Sequence, residues 1–359
     1  MANVLRGYPL VSVILPAYNV ENYVARAIES MQRQTMDDFE FLVVDDGSTD
    51  RTGDIIHQHT RHDLRIADFH PKNGGAPMAR NLALDHARGK YVYFMDADDW
   101  AERDLLKSLV EPAETSSLEL VVEGFYIDTY YGNDGEYTIE KKYRPTATYP
   151  TQYEFRVAAA ELFDQNLLYP PWNKLFLRER IERLGLRFRN TFMDDFPFVL
   201  DYIRDVERVG VIEDAYYHFI RKREDSETAR WRPDMYEKRE EEHGWMLDLY
   251  HHWKLDGDPS SMEVVHRRYI ERLVGCIENV CNRSCTMTRK EKISAINQMI
   301  STDQAQIAVA LAQPHSRMMK TMLVPIKTKN ARLAYHEGKL ISFVKSHNTK
   351  VFATLKARR

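Results

Sequence analysis

The sequence predicts an α/β fold, with an open, mostly parallel sheet covered by helices in the first two thirds of the chain and a helical C-terminal region after it. Three observations carry that expectation. Short β-branched and aromatic runs alternate with stretches whose apolar residues recur every three or four positions, the pattern of repeated strand–helix–strand units. Two of the runs pass directly into acidic turns, as strands do when their carboxyl ends face a ligand crevice. From about Asp225 the strand-like runs stop and helical spacing takes over.

Residues 11–15 form the first predicted strand. After it Val24, Ala27, Ile28 and Met31 share a helix face, and residues 39–44 return as a buried strand, completing one crossover unit. TDRTGDIIHQHTRHD reads as a second helix with a Thr or Asp start, followed by a short strand around 64–67. A third helix spans roughly 76–87. YVYFM at 91–95 is the most strand-like pentad in the chain and runs into Asp96, Asp98 and Asp99. Residues 118–123 are another strand, and YYGNDGEYTIEKKYRPTATYP is rich in turn formers, a long loop or hairpin with the mobility expected of one. PDMYEKREEEHGWMLDLYHHW, the stretch 264–285 and RKEKISAINQMI are three candidate helices in the C-terminal region. The predicted domains are 8–225 and 226–359, and no repeat period emerges.

A chain of 359 residues fits two domains, and 43% apolar with 29% charged residues is ordinary globular composition. The net charge of −4 makes nucleic acid a poor partner. Cys276, Cys281 and Cys285, at spacings of five and four, form neither a metal CxxC pair nor an even disulfide set, so a reduced, cytoplasmic compartment is expected. The N-terminal stretch lacks the succession of a signal peptide, and no apolar run approaches the ~18 residues of a membrane span.

Residues 314–359 carry eleven Lys and Arg against one acid, Glu337, a net of +10 that leaves −14 on the remainder. Their cations interleave with Met318, Met319, Leu323, Leu340, Ile341, Phe343, Val351, Phe352 and Leu355. That mixture suits a segment lying peripherally on an anionic membrane at the inner face of the plasma membrane. It suits equally a basic folded element docked on the acidic remainder.

The first strand ends in Pro16-Ala17-Tyr18-Asn19 and the second in Asp45-Asp46-Gly47-Ser48-Thr49-Asp50, both at strand-to-helix turns. An aspartate there can accept a hydrogen bond from a base N–H, while Gly47 and Ser48 let the backbone approach a ligand; the same residues also make an ordinary helix cap. In YVYFMDADDW, Asp96 and Asp98 are split by one small residue. Mn²⁺ or Mg²⁺ wants oxygen ligands and binds through one or two carboxylates plus substrate phosphate. The alternative is a solvated acidic turn, or the cap of a helix beginning at Asp99. His57, His59 and His62 read as solvated, and the three thiols as core packing. Neither GxGxxG nor GxxxxGK[ST] occurs, which argues against a nucleotidyltransferase or dehydrogenase on another α/β fold.

The segments VSVILPAYNVENYVARAIESMQRQT, FEFLVVDDGSTDRT, NGGAPMARNLALDHARGKYVYFMDADD and PWNKLF, in that order and spacing, resemble glycosyltransferase family 2 over roughly residues 9–226. The resemblance implies a GT-A fold and metal-dependent transfer of a sugar from a nucleoside-diphosphate donor, usually UDP, to a glycan or lipid-linked acceptor in cell-surface polysaccharide or teichoic acid synthesis. The positions matching Pro16, Tyr18, Asp45 and Asn73 hold the nucleotide in such enzymes, Asp45 pairing with the uracil edge; Asn19 and Asp46 are counted with them. Arg80 matches a contact to the nucleotide or its phosphates, Asp96 a position near ribose and metal, and Asp98 the direct metal ligand.

Inverting members use a carboxylate base, often from a Glu-Asp pair before a helix. Here the pair is Asp194-Asp195, with Asp195 favoured as the base. Lys174 in PPWNKLF matches a position close to the donor phosphates or the acceptor. Tyr216 to Phe219 and residues 221–226 resemble the segment closing over the donor in wall teichoic acid glycosyltransferases, which makes His218 and Arg221 candidate diphosphate contacts. A sugar-nucleotide or polysaccharide-binding scaffold without turnover, on the same fold, is the alternative function.

Overall fold

The computed structural model describes residues 8–131, 136–191, 193–222 and 231–347. The chain divides into two compact units, one of residues 1–129 and 138–221, the other of residues 130–137 and 222–359.

In the first unit β1 (Val11–Ala17), β2 (Phe39–Asp45), β3 (Ile66–Phe69) and β4 (Tyr91–Phe94) lie parallel in the order β3-β2-β1-β4. Each of the first three runs into a helix: α1 (Val24–Gln32), α2 (Thr52–Thr60) and α3 (Ala76–His86). The four apolar residues expected on one face of α1 are all buried. β2 is buried along its whole length, which is why it reads as a continuous apolar run without alternation. At the amino end of these strands Ser12 donates to Glu40, whose other oxygen takes the guanidinium of Arg88 at 2.7 Å, so the buried acid there is satisfied within the fold. The register Ala17↔Asp45 brings the two candidate turns to the same, opposite edge.

After β4 the sheet turns antiparallel. β5 (Trp100–Ala101), β6 (Leu120–Tyr131), β7 (Glu136–Lys142), β8 (Ala147–Tyr149), β9 (Lys174–Leu177) and β10 (Val209–Lys222) extend it as β4-β9-β6-β10-β5, with β7 on β6 and β8 on β10. No helix begins at Asp99: the chain enters β5, and α4 (Leu105–Thr115) starts six residues on. The third strand also lies two residues later than expected, because 64–65 belong to the preceding turn. α5 (Gln152–Asp164), α6 (Arg178–Arg183) and α7 (Asp195–Ile203) complete the unit. β9 and β10 escaped the sequence reading, since antiparallel strands of such different length show no regular spacing along the chain.

The second unit holds α8 (Met235–His252), α9 (Pro259–Cys281), α10 (Arg289–Ser301), α11 (Asp303–Leu311), α12 (Arg317–Lys327) and α13 (Ala331–His347). Four of them start at side-chain caps: Asp258 before α9, Thr288 with Glu291 in a reciprocal capping box before α10, Thr302 before α11 and Ser316 before α12. The long α9 lies at the centre of an apolar core that includes Ile270, Ile277, Ile296, Ile300, Met322 and Ile326. Cys276, Cys281 and Cys285 are free and buried, as packing residues would be.

Much of the basic tail is part of this core. Met319 and Ile341 are buried and Met318 and Leu323 pack against them, whereas Leu340 and Phe343 remain exposed. Val351, Phe352 and Leu355 lie outside the described residues. No helix among the described residues is long and apolar enough to cross a membrane.

Candidate active site

Two turns at the carboxyl edge of the parallel strands are laced together by hydrogen bonds. Asn19, held at φ 51°, donates its backbone N–H to Ser48 Oγ (3.0 Å), and its Oδ1 accepts from Thr49 N (2.8 Å). Val20 N donates to Thr52 Oγ1 and Glu21 N to Asp50 Oδ2, while Arg51 N donates to the Glu21 carboxylate. Gly47, at φ 71°, passes so close to the next loop that a Cβ there would sit 2.8 Å from Asn73 N. Pro16 is the penultimate residue of β1, and Tyr18 stands half exposed just beyond the strand.

Asp45 and Asp46 are adjacent and do different things. Asp46 is buried; its two oxygens accept from the backbone N–H groups of Gly74 (2.9 Å) and Gly75 (2.7 Å), and Asn73 Nδ2 donates to its carbonyl (2.9 Å). It holds the 73–75 loop through both of its oxygens. Asp45 accepts from Ser48 N (3.0 Å) through Oδ1, while Oδ2 lies 3.3 Å from His70 Nδ1. His70 also faces Asp68, with Nε2 3.0 Å from Oδ2. Partial burial works against charge on His70, but its bonds to Asp68 and Asp45 outweigh that and hold its pKa above the ordinary value. No sequence pattern marked His70; it reaches Asp45 because β2 and β3 are neighbours.

The acidic turn after β4 faces a second carboxylate pair. Arg80 of α3, buried, places one nitrogen 2.8 Å from Asp96 Oδ1 and the other 2.7 Å from Asp194 Oδ2 and 3.0 Å from Asp195 Oδ1. Burial opposes its charge, yet Asp195, Asp96 and Asp194 together keep the guanidinium more firmly protonated than usual. The neighbouring Asn81 holds the other side of this arrangement: it donates to Phe188 O and accepts from Phe188 N, both at 2.8 Å, and the Arg80 guanidinium stands over the Phe188 ring.

Burial pushes Asp195 up to about 7, with Asp194 and Asp96 adding to the rise against the pull of Arg80. Asp194 is raised for the same first reason. Asp195 Oδ1 is shielded from solvent and, despite its nearness to Arg80, has no hydrogen-bond partner among the described residues.

In the DADD turn itself the acids separate by environment. Asp98 is exposed, and its carbonyl is fixed by the Arg26 guanidinium of α1 at 2.7 Å. Asp99 is wholly buried, accepting from Ile220 N and Tyr217 OH, both at 2.7 Å; burial, then Asp98 and Asp96, hold its carboxyl well above the usual range. Tyr217 OH also accepts from Asp96 N (3.1 Å), so β10 pins the turn at two points.

Behind it the PPWNK segment forms a support. Trp172 stacks on Tyr217 and Phe219, its carbonyl takes the hydroxyl of Tyr93, and Asn173 Nδ2 donates to Glu123 O and Leu167 O. Lys174 is 0% exposed, its ammonium donating to Leu167 O and Pro170 O (both 2.5 Å) and Asn173 Oδ1 (2.7 Å); burial depresses its pKa well below the ordinary value. Placed so, it ties the 167–174 turn together and presents no cation to a diphosphate.

His218 is likewise enclosed. Its Nδ1 lies 2.9 Å from Asp128 Oδ2 and its Nε2 3.2 Å from Glu102 Oε1, with Trp100 and Tyr126 stacked on the ring. Arg221 stands over the Phe219 ring, and 223–226 of the expected closing segment lie outside the described residues. His57, expected to be solvated, is exposed but lies 3.4 Å from Asp68, and His59 contacts Gln32; His62 is exposed.

Residues 12–185 match the family Glycosyl transferase family 2. The chain is 30% identical over 304 residues to an uncharacterized glycosyltransferase, EpsJ, of Bacillus subtilis (strain 168), covering 84% of this chain and 86% of that one. It is 43% identical over 104 residues to TuaG of the same organism, provisionally named a teichuronic acid biosynthesis glycosyltransferase, a match covering 29% of this chain and 41% of TuaG. Among solved structures it is similar to residues 1–349 of S. aureus TarS in complex with UDP-GlcNAc, with a TM-score of 0.61 over 94% of this chain and 92% of that one; at 20% identity this is a likeness of fold, the GT-A architecture with a helical C-terminal region.

Proposed function

The chain belongs to glycosyl transferase family 2, and on that premise we propose that it transfers a sugar with inversion from a nucleoside-diphosphate donor, first of all UDP, to a hydroxyl acceptor. The acceptor class is a glycan or lipid-linked glycan of cell-surface polysaccharide or teichoic acid synthesis, a reading supported by the likeness to TuaG. The observation that carries the proposal is the convergence on Arg80. It joins the turn after β4 to Asp194, which lies 114 residues beyond Arg80 in sequence, at the edge where open α/β sheets take ligands.

In this reading Asp45, Pro16, Tyr18, Asn19 and Asn73 line the nucleotide, and Asp46 shapes the loop that carries Asn73. Asp195 takes the acceptor's proton as the acceptor oxygen attacks the anomeric carbon; the bond from that carbon to the diphosphate breaks, and its electron pair leaves with the nucleoside diphosphate. A buried carboxylate oxygen without a donor is what an incoming hydroxyl would satisfy, and a pKa near 7 suits a base at neutral pH. Asp194 raises Asp195 by like charge, and Arg80 keeps both in place. Lys174 and His218 support the floor of the site.

Exposed Asp98 and the remaining oxygen of Asp96 fit a hard cation shared with a diphosphate, which needs only one or two carboxylates. No group of three or more His, Cys, Asp or Glu able to hold a metal by itself occurs among the described residues. Bound there, Mn²⁺ or Mg²⁺ would offset charge growing on the leaving group.

The test is release of nucleoside diphosphate from a panel of sugar nucleotides, with Mn²⁺, Mg²⁺ or chelator, on wild type and Asp98→Asn. Metal-dependent turnover of one donor, lost in the variant, is the expected result. Full activity in Asp98→Asn would remove the metal assignment. Donor binding without turnover, across donors and acceptors, would favour a binding scaffold.

A further inference from the structure

The last helix of the second unit has two unlike faces. Ala331, Ala334, Tyr335 and Ile341 of α13 are buried in the helical core. Arg332, Leu333, His336, Lys339, Leu340 and Phe343 are exposed, and at 3.6 residues per turn they fall within about 120° of one another around the helix. Leu340 is 62% and Phe343 55% exposed. The helix's one acid, Glu337, is partly buried with Oε2 shielded from solvent. Cations and large apolar residues thus share the outward face, the reverse of the polar exterior a soluble helix normally presents.

A second feature meets this face at its amino end. A groove of about 610 Å³ between α10 and the α12–α13 turn is lined by Lys290, Ser294, Asn297, Thr328, Lys329 and Arg332, with no acid in its lining. None of the three cations is ion-paired among the described residues. Arg332 belongs to both the groove and the face.

We propose that this surface docks on an anionic phospholipid bilayer, with Lys290, Lys329 and Arg332 taking headgroup phosphates while Leu333, Leu340 and Phe343 enter the interfacial layer. Charge complementarity selects the partner: a cationic groove alone would suit any polyanion, and an apolar stripe alone would suit a second protein, but the two on one helix face match a surface that is anionic outside and apolar beneath. The inference is independent of the sugar-transfer reading, and its test uses no activity.

The full chain is floated with vesicles of phosphatidylcholine alone and of phosphatidylcholine with phosphatidylglycerol, beside Arg332→Gln/Lys339→Gln and Leu333→Ser/Leu340→Ser. Binding only to the anionic vesicles is expected, weakened roughly 25-fold by the charge pair at about fivefold per cation, and about tenfold or more by the apolar pair. All four side chains are exposed, so both variants should keep the wild-type Tm. Failure to bind anionic vesicles, or unchanged binding by the apolar pair, would overturn the proposal. So would inorganic polyphosphate binding that the apolar pair leaves intact with no preference for vesicles, or a solution dimer that the apolar pair dissolves.

Discussion

The 73–75 loop is held to β2 by neutral backbone amides on one buried carboxylate, Asp46, whereas Asp96, Asp194 and Asp195 are held around one guanidinium, Arg80. Both regions border the same edge of the sheet. In the first, each bond stands by itself and removing one costs that bond; in the second, three like charges depend on a single cation, and Arg80 and the neighbouring carboxylates together set the ionisation of Asp194 and Asp195. The largest expected effect therefore falls in the second region. Asp195→Asn should lower kcat by about 10²–10⁴-fold, the usual worth of a positioned base, with donor affinity kept. In wild type, kcat/KM should rise with pH through about 7, where Asp195 becomes ionised.

Stability should move the other way. The folded-state pKa of Asp195 is raised, so its contribution is fully present below the unfolded value near 3.8 and is lost as pH rises through about 7. Asp195→Asn should accordingly raise Tm by about 2–4 °C more at pH 8 than at pH 5. Calorimetry at the two pH values checks this, and an equal shift at both would mean that the cluster is not coupled through charge.

A smaller effect, of a different kind, is expected in the hydrogen-bonded region. Asp46→Ala leaves the N–H groups of Gly74 and Gly75 without their acceptor and should cost about 1–3 kcal/mol by urea unfolding, with donor KM raised as the Asn73 loop loosens. Because amides do not titrate, the loss should be the same at pH 6 and pH 9. A strongly pH-dependent loss would erase the distinction between the two regions.

What could be read from the sequence follows the same division. DDGSTD and NGG are short strings whose bonds are made largely within a turn or to the turn after a neighbouring strand, so residue types at fixed spacing announced them, whereas ARN was visible as a string but Asp194 and Phe188, which its Arg80 and Asn81 hold, lie 114 and 107 residues further along. The fates of Asp98 and Asp99 could not be read that way. They are neighbours of identical type, and what buries Asp99 is Tyr217 and Ile220, 118 and 121 residues further along. His218 shows the same limit: its motif position was visible, but the carboxylates of Asp128 and Glu102 around it lie 90 and 116 residues away, whereas the carbonyls around Lys174 belong to its own turn. Asp46 and Asp45 form a third case, where the string DD gave no sign that one acid faces inward to the loop and the other toward His70.

His70 supplies the smallest of these effects and joins the two kinds of bonding, since a titrating group there braces an otherwise hydrogen-bonded turn. It faces Asp45 from β2, Asp68 from β3 and, through Asp68, His57 of α2; a Cβ at Gly53 of α2 would come within 2.6 Å of Asp45 Oδ2, so that carboxylate has little room to turn away. The pKa of His70 is raised in the fold, so its hold on Asp45 is fully present below the ordinary histidine value and fades as pH rises through the raised one. His70→Gln should raise donor KM about two- to fivefold at pH 6, within the modest range of a solvent-screened pair, and the two proteins should converge by pH 9. Donor titration at both pH values reads this directly. A KM ratio that stays constant with pH would show that His70 acts by shape alone, and no change at either pH would show that Ser48 N suffices to orient the carboxylate.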